Sequence, residues 1–180
     1  ILDYLHWGDK GFGSMVFDPV DFPEAEEMIH QLHTKYNCKL ITSVWPSFNT
    51  QSPNWKLFND DNLFLDLDLG HFGHVHDAYN PKAGELYWKL VKQSYWDKGV
   101  DGIWFDATEP EQLEKFKETQ CYLGATAKYQ NLYSYFDMKN VFERQLEVDK
   151  NRVYVLTRSA FLGQQNYGSL VWSCVIISDF

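Results

Sequence analysis

The sequence predicts an α/β protein built on a parallel β-sheet, and three observations support this prediction. Amphipathic helical segments alternate along the chain with short runs of β-forming residues. Turn residues separate the helices from the strands that follow them. Polar residues come directly after the strands. Alternating strands and helices are typical of right-handed βαβ units, in which the strands all run in one direction.

The first two helix and strand pairs have the clearest signals. Residues 23–36 carry an apolar face and an acidic start, and the strand 40–45 follows. Residues 81–98 are predicted as a helix that Asn80 caps, and the strand 100–105 follows it. The apolar face of this second helix has the period expected of an α-helix and consists of Ala83, Leu86, Tyr87, Leu90 and Val91.

A third pair and two terminal strands complete the prediction. Met138, Val141, Phe142 and Leu146 share a helical face, and the strand 152–156 follows. Residues 1–5 and 170–177 are predicted as further strands.

Composition restricts the class of protein and of partner. The apolar fraction of 44% excludes a disordered chain, and no apolar run approaches the roughly 20 residues that cross a bilayer. With 16 Lys and Arg against 25 Asp and Glu, the net charge is −9 and no basic stripe exists. We therefore expect no nucleic acid and no membrane as partner. Three widely spaced cysteines form neither a disulfide framework nor a C-x-x-C site.

Two architectures are compatible with the parallel sheet, an open doubly wound sheet and a (β/α)₈ barrel. No G-x-G-x-x-G or G-x-x-x-x-G-K-[ST] motif follows any strand, which removes the main support for a nucleotide-binding open sheet. We therefore predict a TIM barrel. A complete barrel takes about 250 residues and eight strands, so five strands in 180 residues predict an incomplete one, a fragment that spans residues 1–180 of a single barrel.

Residues 46–80 form an unusually long connection between predicted elements. The segment mixes Asn, Asp, Ser, Pro and Gly with aromatic residues, and it exceeds the usual length of a plain connector. We interpret it as a long substrate-binding loop on the rim of the barrel.

Asp106 is the sharpest candidate for chemistry. It follows the apolar run 103–105. Burying a carboxylate there costs free energy unless the group is paired, hydrogen-bonded or used in catalysis. The structural alternative is a salt-bridged strand end or a helix cap, and a Mg²⁺ site with Glu109 and Glu111 is a weaker one. Glu109 and Glu111 themselves fit the acidic first turn of a helix. His71, His74 and His76 lie in a glycine-flanked segment and are interpreted as polar loop residues, so no metal site is predicted.

Five motifs in order resemble glycoside hydrolase family 31. They are F-D-P-V-D-F-P (17–23), L-I-T-S-V-W-P-S-F (40–48), D-A-Y-N-P-K-A (77–83), V-D-G-I-W-F-D-A-T-E-P-E (100–111) and T-R-S-A-F-L-G-Q-Q (157–165). The family consists of retaining α-glycosidases on a (β/α)₈ barrel, so the resemblance implies about strands two to six of that barrel. The D-A-T-E-P form is more similar to α-xylosidases than to α-glucosidases. An α-xylosidase acting on plant oligosaccharides is therefore implied first and an α-glucosidase second.

The resemblance also assigns roles to single residues. It implies that Asp106 is the catalytic nucleophile. The implied substrate-binding residues are Asp3, Trp45, Trp104, Arg158 and Trp172. Retaining chemistry needs a carboxylate that attacks the anomeric carbon, and aromatic walls suit the apolar faces of a sugar. No cofactor is implied, the partner is an oligosaccharide or glycoside, and the oligomeric state and a periplasmic, extracellular or cytoplasmic compartment all stay open.

The second catalytic carboxylate is where this sequence departs from the family. The family motif Trp-Ser-Gly-Asp ends in the acid/base, whereas here Trp172 and Ser173 precede Cys174 and Val175. Valine cannot transfer a proton. A non-catalytic carbohydrate-binding relative is therefore an alternative, and the 180 residues alone are expected to show negligible turnover.

Overall fold

The computed structural model describes residues 1–109 and 112–173. The α-helices are α1 (Ala25–Thr34), α2 (Trp55–Asp60), α3 (Pro81–Ser94), α4 (Leu113–Lys117) and α5 (Tyr133–Val148). The strands are β1 (Ile41–Val44), β2 (Ser47–Phe48), β3 (Phe64–Asp68), β4 (His74–His76), β5 (Gly102–Phe105), β6 (Gln120–Cys121), β7 (Gly124–Ala125), β8 (Val155–Thr157) and β9 (Ser169–Val171). None of the described helices has the length and apolar character that crossing a membrane requires.

The central sheet is parallel, in the order β1-β5-β8-β9. Leu2 extends it by a parallel bridge to Thr42 on the outer side of β1. The predicted strand 1–5 is thus reduced to one bridge. The last predicted strand, 170–177, is observed as β9 over Ser169–Val171, and residues 174–177 lie outside the described ranges. The α/β class is confirmed, and the described residues form an open part of a barrel.

Helix α3 forms where its sequence predicts it. The side chain of Asn80 accepts a hydrogen bond from the backbone N–H of Lys82 at 3.0 Å, and Pro81 occupies the first turn, where no N–H is needed. The helix ends at Ser94, and a 3₁₀ turn over Trp96–Lys98 completes the predicted segment. Gly99 then adopts a φ of 96°, a conformation that glycine accepts without strain.

The two faces of the sheet have different surroundings. One face packs against α3 and α5 in the main hydrophobic core. Its members include Val44, Ile103, Phe105 and Val155 from the strands and Tyr87, Val91, Met138 and Val141 from the helices. Because side chains alternate along a strand, Trp104 points to the other face, the interior of the barrel, and it is only half-buried.

Residues 46–80 contain secondary structure of their own. Strands β2, β4 and β3 form an antiparallel sheet in that order, and α2 packs against it. The rings of Phe48 and Phe58, both fully buried, stack at a centroid distance of 4.6 Å. This segment, which we call the rim sheet, is therefore a folded unit rather than a plain loop, and its role in substrate binding stays a prediction.

Candidate active site

The register of the parallel sheet aligns Trp45, Asp106, Arg158 and Trp172. Each of them follows directly the last paired residue of its strand, and these paired residues are Val44, Phe105, Thr157 and Val171. Because parallel strands end at the same edge, the four residues lie along the carboxyl edge of the sheet. Active sites of parallel barrels are built at this edge.

Asp106 is held by two N–H donors. The indole Nε1 of Trp45 donates to Asp106 Oδ2 at 3.1 Å, and the backbone N–H of Ala107 donates to Oδ1 at 2.9 Å. Ala107 adopts a φ of 55°, which costs a non-glycine residue about 1 kcal/mol or more. This strained turn aims an N–H at the carboxylate, so both oxygens of Asp106 have fixed positions.

The charge state of Asp106 reflects opposing influences. Burial raises the pKa of Asp106 above its ordinary value, and the Arg158 guanidinium, the Ala107 N–H and the Trp45 indole counteract this only in part. Arg158 Nε lies 3.4 Å from Asp106 Oδ1. The carboxylate is thus partly desolvated but paired with a cation, which suits a nucleophile that must be ionised to react.

Glu109 completes this cluster through a contact with Arg158 that the sequence did not indicate. Arg158 Nε donates to Glu109 Oε1 at 2.7 Å, and Arg158 Nη2 contacts the same oxygen. Helix α4 begins only at Leu113, so Glu109 is not in its first turn, and that interpretation is wrong. The sequence does not reveal that Glu109 and Asp106 share Arg158 as a partner, because Arg158 lies 49 residues after Glu109 along the chain.

We predict that Arg158→Met shifts the acidic limb of the pH profile of kcat/KM to higher pH. Removing the guanidinium leaves burial and Glu109 to raise the pKa of Asp106 further, so a higher pH is needed to ionise it. We expect kcat/KM below neutral pH to fall about 10- to 100-fold, the value of a hydrogen bond to a charged group. Fluoride release from α-xylosyl fluoride across pH measures this in the protein that carries this chain.

Arg144→Met is the matched control for this experiment. Arg144 bonds to Asn140 and Pro81 on the helical side, so the same change in net charge occurs without a contact to Asp106. An acidic limb that moves equally in both variants would contradict the role given to Arg158.

Trp45 stands in a wall of aromatic side chains. Its ring contacts those of Tyr4, Trp7 and Phe12, with centroid distances from 5.2 to 5.8 Å. Trp7 and Phe12 are buried and were not identified from the sequence, whereas Tyr4 is 47% exposed. The wall continues to Phe72 of the rim sheet, 5.0 Å from Phe12. Faces of this kind match the apolar faces of sugar rings.

The remaining predicted substrate contacts occupy the same end of the molecule. Asp3 has an exposed side chain and follows Leu2, the residue that pairs with β1. The rings of Trp104 and Trp172 meet edge to face at 5.2 Å. The indole N–H of Trp104 is shielded from solvent without a hydrogen-bond partner among the described residues. The structure thus brings both tryptophans together beside the carboxyl edge.

The interpretation of the histidines in residues 71–76 as polar loop residues is wrong for His74 and His76, which lie on strand β4. His76 is buried, with its ring nitrogens 2.9 Å from Pro46 O and from Asp137 Oδ1, whereas His74 accepts from the indole of Trp55. Across residues 1–109 and 112–173, no three His, Cys, Asp or Glu side chains are grouped as a metal ion would require.

Glu111, Cys174 and Val175 lie outside the described residues.

Comparison with known proteins agrees with this geometry. The family model "Glycosyl hydrolases family 31 TIM-barrel domain" matches residues 1–179. The α-xylosidase of Saccharolobus solfataricus is 32% identical over 189 residues, which cover 100% of this chain and 24% of that protein. A crystal structure of a family 31 α-xylosidase from a soil metagenome matches with a TM-score of 0.86 and 27% identity, over 95% of this chain and 26% of the other. The crystal structure of the Xanthomonas citri α-xylosidase matches with a TM-score of 0.86 and 28% identity, over 96% of this chain and 20% of the other.

The chain thus spans about a quarter of the length of these relatives. Since the family model covers nearly every residue and the motif carboxylate lies where a barrel has its active site, the chain belongs to glycoside hydrolase family 31, within its TIM-barrel domain.

Proposed function

We propose that the protein carrying this chain is a retaining α-glycosidase with Asp106 as nucleophile. The observation that carries the proposal is the setting of Asp106, at the carboxyl edge, with both oxygens held by N–H donors and Arg158 beside it. An ionised, fixed carboxylate of this kind can attack an anomeric carbon. A merely structural carboxylate at a strand end needs neither the strained turn at Ala107 nor the aromatic wall.

The proposed reaction has two displacements. An oxygen of Asp106 bonds to the anomeric carbon while the bond to the leaving oxygen breaks, and the leaving oxygen takes a proton from a general acid. Water, which gives a proton back to the same group now acting as a base, then attacks the anomeric carbon of the β-glycosyl-enzyme; the bond to Asp106 breaks, and the sugar is released with net retention. The general acid must stand about 5 to 5.5 Å from the nucleophile. The sequence lacks a carboxylate at the family position, Val175.

The specific substrate that we propose is α-linked xylose on plant oligosaccharides. The D-A-T-E-P motif and the likeness to relatives named α-xylosidases support this choice. Comparing kcat/KM for α-xylosyl and α-glucosyl fluorides tests it, and a preference for glucose would make the protein an α-glucosidase. For the rim sheet we propose contacts to the substrate, because Phe72 is 38% exposed and continues the aromatic wall.

Covalent labelling tests the proposed nucleophile. In 5-fluoro-α-xylosyl fluoride, fluorine at C5 slows both displacements, while fluoride at C1 leaves without a proton. The glycosyl-enzyme should therefore accumulate even with valine at position 175. Digestion and mass spectrometry should find the sugar on Asp106. A label on any other residue would refute the assignment.

A non-catalytic carbohydrate-binding protein is the second candidate, and Val175 is the observation that favours it. Such a protein would bind xylosides reversibly, as calorimetry would detect, and would carry no covalent label after long incubation with the fluoride.

A further inference from the structure

The backbone directly after β1 is held at two consecutive carbonyls. The hydroxyl of Tyr87 on α3 donates to the carbonyl of Trp45 at 2.9 Å. The next carbonyl, that of Pro46, accepts from both the backbone N–H and the Nδ1 of His76, each at 2.9 Å. We call these two side chains, Tyr87 and His76, the carbonyl clamp. The main-core helix α3 and strand β4 of the rim sheet thus meet at the peptide that follows Trp45.

The clamp is rigid because His76 is itself fixed on every side. Its Nε2 lies 2.9 Å from Asp137 Oδ1 of α5, and the side chains of this pair are 0% and 1% exposed. The hydroxyl of Tyr133 donates to the His76 carbonyl at 2.8 Å, and the ring of Tyr87 stacks on the imidazole at 4.5 Å. Burial alone would lower the pKa of His76, but the Asp137 carboxylate and the Pro46 carbonyl together raise it above its ordinary value. Both ring nitrogens face acceptors, so the imidazolium satisfies both contacts.

The clamp adjoins Trp45, the residue whose indole holds Asp106. Two bonded carbonyls fix the peptide planes on either side of Pro46, whose ring already restricts φ. The direction of the Trp45 side chain is set by this backbone and by the surrounding rings. Its indole N–H then donates to Asp106 Oδ2. The hydrogen bonds from Asp137 and Tyr87 therefore reach the carboxylate through the covalent backbone and side chain of Trp45.

We propose that His76 and Tyr87 are positioning residues for the nucleophile, which act by clamping the Trp45 and Pro46 carbonyls so that the Trp45 indole orients Asp106. The inference rests on the proposed function. Both side chains are buried, at 0% and 1% exposure, so neither reaches a sugar and their effect passes through Trp45. Displacing a reacting group by about 1 Å costs on the order of 10²-fold in rate.

The test measures how fast 5-fluoro-α-xylosyl fluoride labels Asp106 in the protein that carries this chain. Tyr87→Phe removes one donor and keeps the stacked ring. We expect the maximal labelling rate to fall about 10- to 100-fold, while the concentration for half-maximal rate changes less than about threefold. A rate within twofold of the unsubstituted protein would overturn the proposal.

Two substitutions of His76 separate positioning from simple structural support. Both are made with Asp137→Asn, so that no buried carboxylate is left unpaired. The amide nitrogen of His76→Asn takes the place of Nδ1 and can still donate to Pro46, whereas that of His76→Gln takes the place of Nε2 and reaches only residue 137. We expect labelling to be faster in the Asn variant. Faster labelling in the Gln variant would mean that only the contact with residue 137 matters, and the proposal would fail.

His33→Gln is the matched control, and a second readout separates the two proposals. His33 Nε2 bonds to Asp101 Oδ2 at 2.7 Å, a His and Asp pair at the opposite end of β5, so labelling should stay at the unsubstituted rate.

No label in the unsubstituted protein would refute the proposed function alone. The second readout is the ¹⁹F resonance of 5-fluorotryptophan at position 45, which is assigned with Trp45→Phe. In the unsubstituted protein this resonance should shift as Asp106 titrates, even if no label forms. In Tyr87→Phe this shift should be lost. A shift retained in Tyr87→Phe would refute the clamp.

Discussion

Replacing Asp106 by glycine is expected to lower the hydrolysis of α-xylosyl fluoride by about 10⁴-fold or more, because the nucleophile itself is lost. The substitution leaves an opening between the Trp45 indole and the Ala107 N–H, the two donors that hold the carboxylate. Azide can enter this space, attack the anomeric carbon and displace fluoride. Restored turnover with a β-glycosyl azide as the product would identify the missing group as the nucleophile.

Asp106→Asn is the matched control for this rescue. The amide fills the space and keeps an oxygen for one N–H donor, so activity should be lost and azide should not restore it. Burial raises the pKa of Asp106, so its ionised carboxylate lowers the free energy of unfolding at pH values above that pKa. The thermal midpoint of the Asn variant at neutral pH should accordingly be no lower than that of the unsubstituted protein. Azide rescue of both variants, or of neither, would contradict the assignment.

Restoring a carboxylate with Val175→Asp is expected to raise kcat/KM for xylosides with poor leaving groups by about 10²- to 10⁴-fold, the usual contribution of general acid catalysis. The resemblance to the family motif Trp-Ser-Gly-Asp implies that the acid/base would stand at this position, and valine has no proton to give. The gain should be small for α-xylosyl fluoride, whose leaving group needs no proton. Rates for nitrophenyl and oligosaccharide substrates, compared with the fluoride, measure the difference.

Val175→Asn separates proton transfer from polarity at this position. The amide resembles the carboxylate in shape but cannot act as the acid, so hydrolysis of oligosaccharides should stay at the level of the unsubstituted protein. An Asp variant that gains nothing on any leaving group would favour a protein that binds sugars without cleaving them.

The secondary structure was predictable where local patterns are strong. The predicted strand 100–105 is observed as Gly102–Phe105 and the predicted helix 81–98 as Pro81–Ser94 with a following 3₁₀ turn. Residues 46–80 were predicted only as a long loop, because β2, β3 and β4 are two to five residues long and pair with each other rather than with the main sheet. Short strands of this kind depend on partners that sequence periodicity does not reveal.

Asp106 and its neighbours along the carboxyl edge illustrate what the sequence by itself determined. A carboxylate after an apolar strand is conspicuous, and strand alternation with a common direction already places Trp45, Asp106 and Arg158 at one edge. These are properties of local pattern and topology.

Only the tertiary structure decided which groups hold these residues in place. Glu109 shares Arg158 with Asp106, and His76 and Tyr87 clamp the backbone beside Trp45. The partners in these contacts are separated by 30 to 52 residues along the chain. Hydrogen bonds and ion pairs act over a few ångströms, so a contact of this kind exists only once the packing of α3, α5 and the rim sheet has brought its partners together.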